Sequence, residues 1–262
     1  MRWHSLLPVA LGVVLAGCAG GESRPLPRTG TTSRIQENGF GASGRSVRTL
    51  VYVLRHDMAE ATEDDDRFAR ELAAAAPGTR VITLTQPIRG GSDPATAASR
   101  GFTRDRITHF ADRIEAGRTR YPDVPTVLVG DGGGAAIAAD LAGLRPKLID
   151  GMVLAACPCM LPEWRKHMEK RMPGTSFQAA ADSLDPLMTV GGIRPQTKAA
   201  LLVGADDPIT PPKFSRGYAE ALALRGIATD YRVLPGRGNA ILNDPEVLSA
   251  TTRMLAALQA DR

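Results

Sequence analysis

Short apolar runs alternating with segments of helical period constrain this chain more than any other feature. Thr49-Leu-Val-Tyr-Val-Leu54 is continuous, apolar and rich in β-branched residues, as a strand buried on both faces must be. Residues 68–76 follow with helical spacing and stop at Pro77-Gly78. The alternation then repeats. Strands are predicted at 80–84, 126–129, 149–156, 201–203 and 229–234. Helices are predicted at 104–120, from Gly134 to Leu144, at 213–224 and at 245–258, with a Gly-rich loop at 87–94. In the first of these helices Ile107, Phe110, Ala111 and Ile114 share one side. Alternation of this kind implies an α/β fold, a parallel sheet of about six strands with helices on both faces and right-handed crossovers. Residues 157–195 break the alternation and read as an inserted helical cap.

The first residues carry a different message. Arg2 precedes a short apolar run, Leu6 to Leu15, too short for the about 20 apolar residues of a membrane-spanning helix. Leu15-Ala16-Gly17-Cys18 closes the run and resembles the lipobox of bacterial lipoproteins. The resemblance implies that residues 1–17 are a signal peptide, that Cys18 carries a diacylglycerol, and that the chain is held on the outer face of a membrane. Ala19, where an Asp would imply inner-membrane retention, favours the outer membrane in a host with two. Residues 19–46, rich in Gly, Ser, Thr, Arg and Pro, read as a flexible tether. Residues 47–262 are then one domain with a core of its own.

Five motifs within that domain, in order and correctly spaced, resemble those of the α/β-hydrolase superfamily. Leu54-Arg-His-Asp57 stands at the turn leading into the oxyanion loop, and Arg89-Gly-Gly-Ser-Asp93 resembles the loop after the next strand. Val127-Leu-Val-Gly-Asp-Gly-Gly-Gly134 occupies the place of strand, nucleophile elbow and helix. Gly204-Ala-Asp-Asp-Pro-Ile-Thr-Pro211 matches the loop of the catalytic acid, and Leu234-Pro-Gly-Arg-Gly-Asn-Ala-Ile-Leu242 the loop of the histidine. Mapped residue by residue, the acid falls on Asp207, the nucleophile on Gly132 and the base on Asn239. Glycine has nothing to attack with, and an asparagine amide takes no proton near neutral pH. Triad members act as a unit, so the sequence argues against triad catalysis.

Other groups have to be weighed as substitutes. Asp131 could attack as the aspartate of some hydrolases of this fold does, but that shifts the elbow by one residue and places Val129 where a small residue belongs. The alternative is a solvated turn residue. Of the histidines, His56 is expected near the mouth of the site, where its counterpart shapes the turn. His109 reads as a helix-surface residue and His167 as part of a solvated charge run with Arg165, Lys166, Lys170 and Arg171. That basic face could also meet acidic headgroups. Cys157-Pro-Cys159, at the cap's entrance, is a local disulfide, a buried thiol pair or a redox site.

Several classes drop out. Net charge is +4 with both signs interleaved, which is no nucleic-acid footprint. Two sulfurs without a histidine at ligand spacing make no metal site. The Gly130–Gly134 run lacks the Lys and Ser/Thr of a phosphate loop. No cofactor is implied. The reading is a membrane-anchored envelope lipoprotein that binds a small-molecule, lipid or protein ligand in the former active-site cleft. An esterase-like hydrolase using Asp131, His56 and Asp207 is the alternative, and a thiol-redox role the third.

Overall fold

The computed structural model describes residues 34–55, 66–88 and 93–261. The signal peptide, Cys18, His56 and residues 89–92 lie outside these. Among the described residues there are seven strands in one sheet: β1 (Gln36–Gly41), β2 (Thr49–Arg55), β3 (Thr79–Thr85), β4 (Thr126–Asp131), β5 (Gly151–Ala155), β6 (Lys198–Gly204) and β7 (Thr229–Leu234). Their spatial order is β1-β3-β2-β4-β5-β6-β7, and every pairing is parallel except that of β1 with β3.

The expected α/β class holds, with one strand more than the sequence predicts. The addition is β1, which falls within the stretch expected to be tether. Gln36 to Gly41 pairs along its whole length with Arg80 to Thr85. Its composition is polar and Gly-containing because a sheet edge has little to bury: only Phe40 is partly covered. Glu37 is bound there by Arg113.

Side-chain alternation divides the core between the two faces of the sheet. Leu50, Tyr52, Leu54 and Leu128 pack on one face against α3 (Arg104–Arg120), α4 (Gly133–Leu144) and α7 (Pro212–Leu224). Val51, Val53, Val127 and Val129 pack on the other against α1 (Arg67–Ala75) and α8 (Pro245–Ala260). Each such buried aliphatic side chain contributes about 1.5–3 kcal/mol relative to exposure.

Two features shape the space above the sheet. α2 (Pro94–Arg100), not foreseen in the sequence, starts where the Asp93 carboxylate accepts from the Thr96 N–H at 2.9 Å and Pro94 takes the first turn. The insertion between β5 and β6 holds α5 (Leu161–Arg171) and the single turn α6 (Pro186–Thr189). Arg165 of α5, read from sequence as part of an exposed basic face, is only 7 % exposed. It donates to the Ala98 carbonyl at 3.0 Å and to Ser183 Oγ at 2.8 Å, and its guanidinium lies over the Phe102 ring. The residue therefore ties the cap to α2, and burial lowers its affinity for its proton.

Parallel register brings the C-terminal ends of β2, β4, β5, β6 and β7 to one edge, with Arg55 opposite Asp131 and Asp131 opposite Ala155. In open parallel sheets this is the edge that carries ligand chemistry.

Candidate functional site

The turn from β4 into α4 is a tight strand-to-helix elbow centred on Gly132, which has φ 53° and ψ −118°. The Gly132 N–H donates to the Ala155 carbonyl at 2.9 Å, and its own carbonyl accepts from Ala135 at 3.0 Å. Both flanking glycines are required by close approach. A Cβ on Gly130 would lie 2.3 Å from Ala135 Cα, and one on Gly134 would lie 2.0 Å from the Leu54 carbonyl oxygen. At Gly132 itself nothing lies within 4 Å of where a Cβ would point. The elbow is thus built as tightly as one carrying a nucleophile, with open space where the side chain would stand.

The acid and base positions meet across two loops. Asp207, 3 % exposed, accepts from the backbone N–H of Ile209 at 2.8 Å and of Thr210 at 2.9 Å, and from the Thr210 hydroxyl. Asn239 Nδ2 donates to Asp207 Oδ2 and to Thr210 Oγ1, each at 2.9 Å. The amide nitrogen faces both partners and can only donate to them. Asn239 thereby keeps the N–H bond that a histidine here would give the acid, but has no second ring nitrogen to take a proton. Thr210 was not foreseen; its signal is Asp207-Pro-Ile-Thr210, a carboxylate followed three residues later by a hydroxyl that can close on it.

Elbow and loops border a cavity of about 270 Å³ beneath the cap. Its polar end holds Asp131, Gly132, Thr210 and Asn239, and the rest is walled by Phe102, Trp164, Met168, Met172, Phe177 and Ile209. Trp164 stands edge-on to Phe102 and to Phe177, each at 6.3 Å, and its indole N–H donates to the Ile209 carbonyl at 3.0 Å. Aromatic cap residues so far apart in sequence gave no periodic signal, so the wall could not be read in advance. A wider groove of about 1170 Å³ lies at the β1 edge among charged residues such as Arg34, Arg80 and Asp112. It contains none of the elbow or loop residues, so the chemistry belongs to the smaller space.

The remaining candidates are placed as follows. Asp131 is half-buried at the end of β4, within the cavity lining. His109 is not fully exposed: its Nδ1 is 3.3 Å from Gln86 Nε2 on the β1 side of the sheet. His167, expected in a solvated charge run, instead donates from Nε2 to the Pro208 carbonyl at 2.9 Å and packs edge-on against Phe214. Neither histidine lines the cavity. Cys157 and Cys159 form a disulfide, both fully buried, with Cα atoms 5.1 Å apart. The bridge holds Pro158 in the cavity wall, and Ser215 Oγ donates to the Cys157 carbonyl at 3.2 Å. Among the described residues no group of three or more His, Cys, Asp or Glu could hold a metal ion, and no helix is long and apolar enough to cross a membrane.

One titratable group lies behind the elbow. Asp140 of α4 is fully buried and takes a hydrogen bond from Thr189 Oγ1 at 2.8 Å. Burial pushes its carboxyl up to about 8, with the Thr189 bond opposing the shift and the charge of Asp185 adding to it.

No protein-family model and no curated protein matches the chain. Solved structures do. The acetyl ester-xyloside bifunctional hydrolase from Caldicellulosiruptor lactoaceticus superposes with a TM-score of 0.63 at 13% identity, covering 92% of this chain and 94% of that one. The Pyrobaculum calidifontis esterase gives 0.62 at 14% identity, over 86% and 80% of the two chains. The Paleococcus ferrophilus monoacylglycerol lipase gives 0.57 at 17% identity, over 88% and 100%. Identity this low speaks to architecture rather than to activity. Elbow, acid loop, histidine loop and cap stand in the expected order on the expected sheet, and the chain has the α/β-hydrolase fold.

Proposed function

We propose that this chain is a cell-envelope lipoprotein, anchored through Cys18, whose hydrolase-type cavity binds a ligand without turning it over. The observation that carries the reading is the pairing of Gly132 with Asn239. The elbow has no nucleophile, and both amide protons at the base position are given to Asp207 and Thr210. A general base must offer a lone pair to the proton it removes, and an amide nitrogen has none to offer.

The test is hydrolysis of short- and medium-chain nitrophenyl esters by the purified chain, compared with Gly132→Ser combined with Asn239→His. The reading expects no turnover by the wild type and measurable turnover by the double variant. Wild-type turnover that co-purifies with the protein and vanishes in Asp131→Asn would overturn it.

A second reading has two observations in its favour. Asp131 lies in the cavity beside the elbow, and the structural neighbours named above are esterases and lipases. An esterase-like hydrolase built on Asp131, with His56 as base, would show the turnover just described.

A further inference from the structure

We propose that the Cys157–Cys159 bridge is a redox latch on the cavity: when a dithiol reduces it, Pro158 leaves the wall and the cavity loses its hold on an apolar ligand. Both readings above place a ligand in that cavity. The inference goes beyond them in making retention of that ligand depend on the bridge.

The latch sits where the chain leaves the sheet for the cap. β5 ends at Ala155 and α5 begins at Leu161, so residues 156–160 are the whole connection. Ala156 has φ 48°, the one positive φ outside glycine among the described residues. Backbone of this kind persists only where its surroundings over-determine it. On one side those surroundings are the sheet, through the Ala156 N–H to the Leu202 carbonyl at 2.9 Å. On the other side, among the described residues, 157–159 make no backbone–backbone hydrogen bond. The segment is held instead by the bridge and by Ser215 Oγ, which donates to the Cys157 carbonyl at 3.2 Å. Pro158, the single residue that the bridge spans, lines the cavity.

Breaking the bridge therefore has a mechanical consequence. Two bonded sulfurs become two thiols that separate to van der Waals contact, and both cysteines are fully buried. A close-packed interior has no slack for this, so the segment shifts and carries Pro158 with it. The rest of the cap keeps its ties, from the Trp164 indole N–H to the Ile209 carbonyl and from Arg165 to the Ala98 carbonyl, each at 3.0 Å. The change is local to the wall, and local opening needs less free energy than global unfolding.

The chemistry is thiol–disulfide exchange. A thiolate of the dithiol attacks one sulfur of the bridge, forming a mixed disulfide and expelling the other cysteine as a thiolate, which takes up a proton. The second thiol of the reductant then attacks its own sulfur in the mixed disulfide. The reductant leaves as a cyclic disulfide, and the remaining cysteine thiolate takes up a proton. Two electrons and two protons have passed from the dithiol to the protein. Buried sulfurs are reached only when the wall opens, so a ligand that holds it closed slows reduction. By reciprocity, reduction weakens the binding of that ligand.

The experiment uses the chain carrying Cys18→Ser, which leaves Cys157 and Cys159 as its only cysteines. The reductant is dithiothreitol, and the probe is N-phenyl-1-naphthylamine, an uncharged apolar dye followed by its fluorescence. On reduction, free thiols should rise from none to two with far-UV circular dichroism unchanged. Amide hydrogen exchange should quicken only within residues 156–164. Dye affinity should fall at least about fivefold and return on reoxidation with glutathione disulfide. Saturating dye should slow the reduction. Cys157→Ser combined with Cys159→Ser should bind dye as the reduced chain does and ignore dithiothreitol; if it does not fold, the reduced parent decides alone. Equal dye affinity in the two redox states, or no dye binding in either, overturns the inference. So does reduction that proceeds only with exchange rising through the whole sheet, which would make the bridge a staple of the fold. None of these outcomes bears on ester turnover, which tests the non-catalytic reading separately.

Discussion

At the scale of single residues, three of the four glycines in one pentapeptide play two different parts. Gly130 and Gly134 are fixed by backbone atoms that a Cβ would strike at 2.3 Å and 2.0 Å, while Gly132 faces open space in a strained conformation. Gly134→Ala should therefore be severely destabilising, because β2 and α4 must separate to admit a methyl group. Gly132→Ala should cost only the left-handed backbone, about 1–3 kcal/mol. Thermal unfolding of the two variants checks the order, and equal losses would contradict the elbow geometry. The Asp207–Thr210–Asn239 triangle makes a second prediction. Thr210→Val removes a buried hydroxyl that serves both partners, so stability should fall by about 1–3 kcal/mol without any change in ester turnover. Gly132, Asp207 and Asn239 were legible in the sequence because each stands in a loop motif whose spacing survives. Thr210 was passed over although it stands in the acid-loop motif, because the family pattern gives that position no role, and Arg165 was misread because a charge beside Lys166 gives no sign that its guanidinium is satisfied by a carbonyl on another helix.

At the scale of elements, the sheet divides the core between its two faces, and the cap roofs the cavity above its edge. Strands β2 and β4 could be recognised because burial on both faces demands unbroken apolar runs. β1 could not, since Gln36-Glu-Asn-Gly-Phe-Gly41 meets solvent almost throughout and owes its strand state to β3 rather than to its own pattern. The joint between α4 and the cap holds a pH-dependent contact. Thr189 of α6 donates to Asp140 of α4, whose carboxyl is pushed by burial up to about 8. Between the ordinary carboxylate range and about 8, the folded chain holds a proton that the unfolded chain releases. Stability must then fall as pH rises through that window and be fully present only below it. Asp140→Asn keeps the acceptor for Thr189 and removes the titration. Its unfolding temperature should be flatter with pH than the parent's between pH 5 and 8, and a parallel pair of curves would show that Asp140 is not the group responsible.

At the scale of the whole molecule, the question is where the folded unit begins and what holds it in place. Sequence composition put the boundary at Val47, since residues 19–46 are rich in Gly, Ser, Thr, Arg and Pro and show no apolar period. The sheet puts it earlier, because β1 covers the edge of β3 from Thr85 back to Arg80. A chain starting at Val47 would leave that strand of a parallel sheet with a row of unpaired backbone groups, the condition that invites edge-to-edge association. It should be less stable than a chain starting at Arg34, and it should self-associate at concentrations where the longer chain stays monomeric. Sedimentation of the two forms measures this, and identical behaviour would mean that β1 is dispensable. The same boundary bears on the anchor. If Cys18 carries the lipid, only the residues between Cys18 and Gln36 can act as tether before β1 is gripped by the sheet. Cavity and membrane would then be separated by a shorter leash than the sequence composition suggested. Incorporation of labelled palmitate into the expressed chain, lost in Cys18→Ser with release of the protein from the membrane fraction, is the expected result. Label retained in that variant would move the anchor elsewhere, and no label in either would remove it.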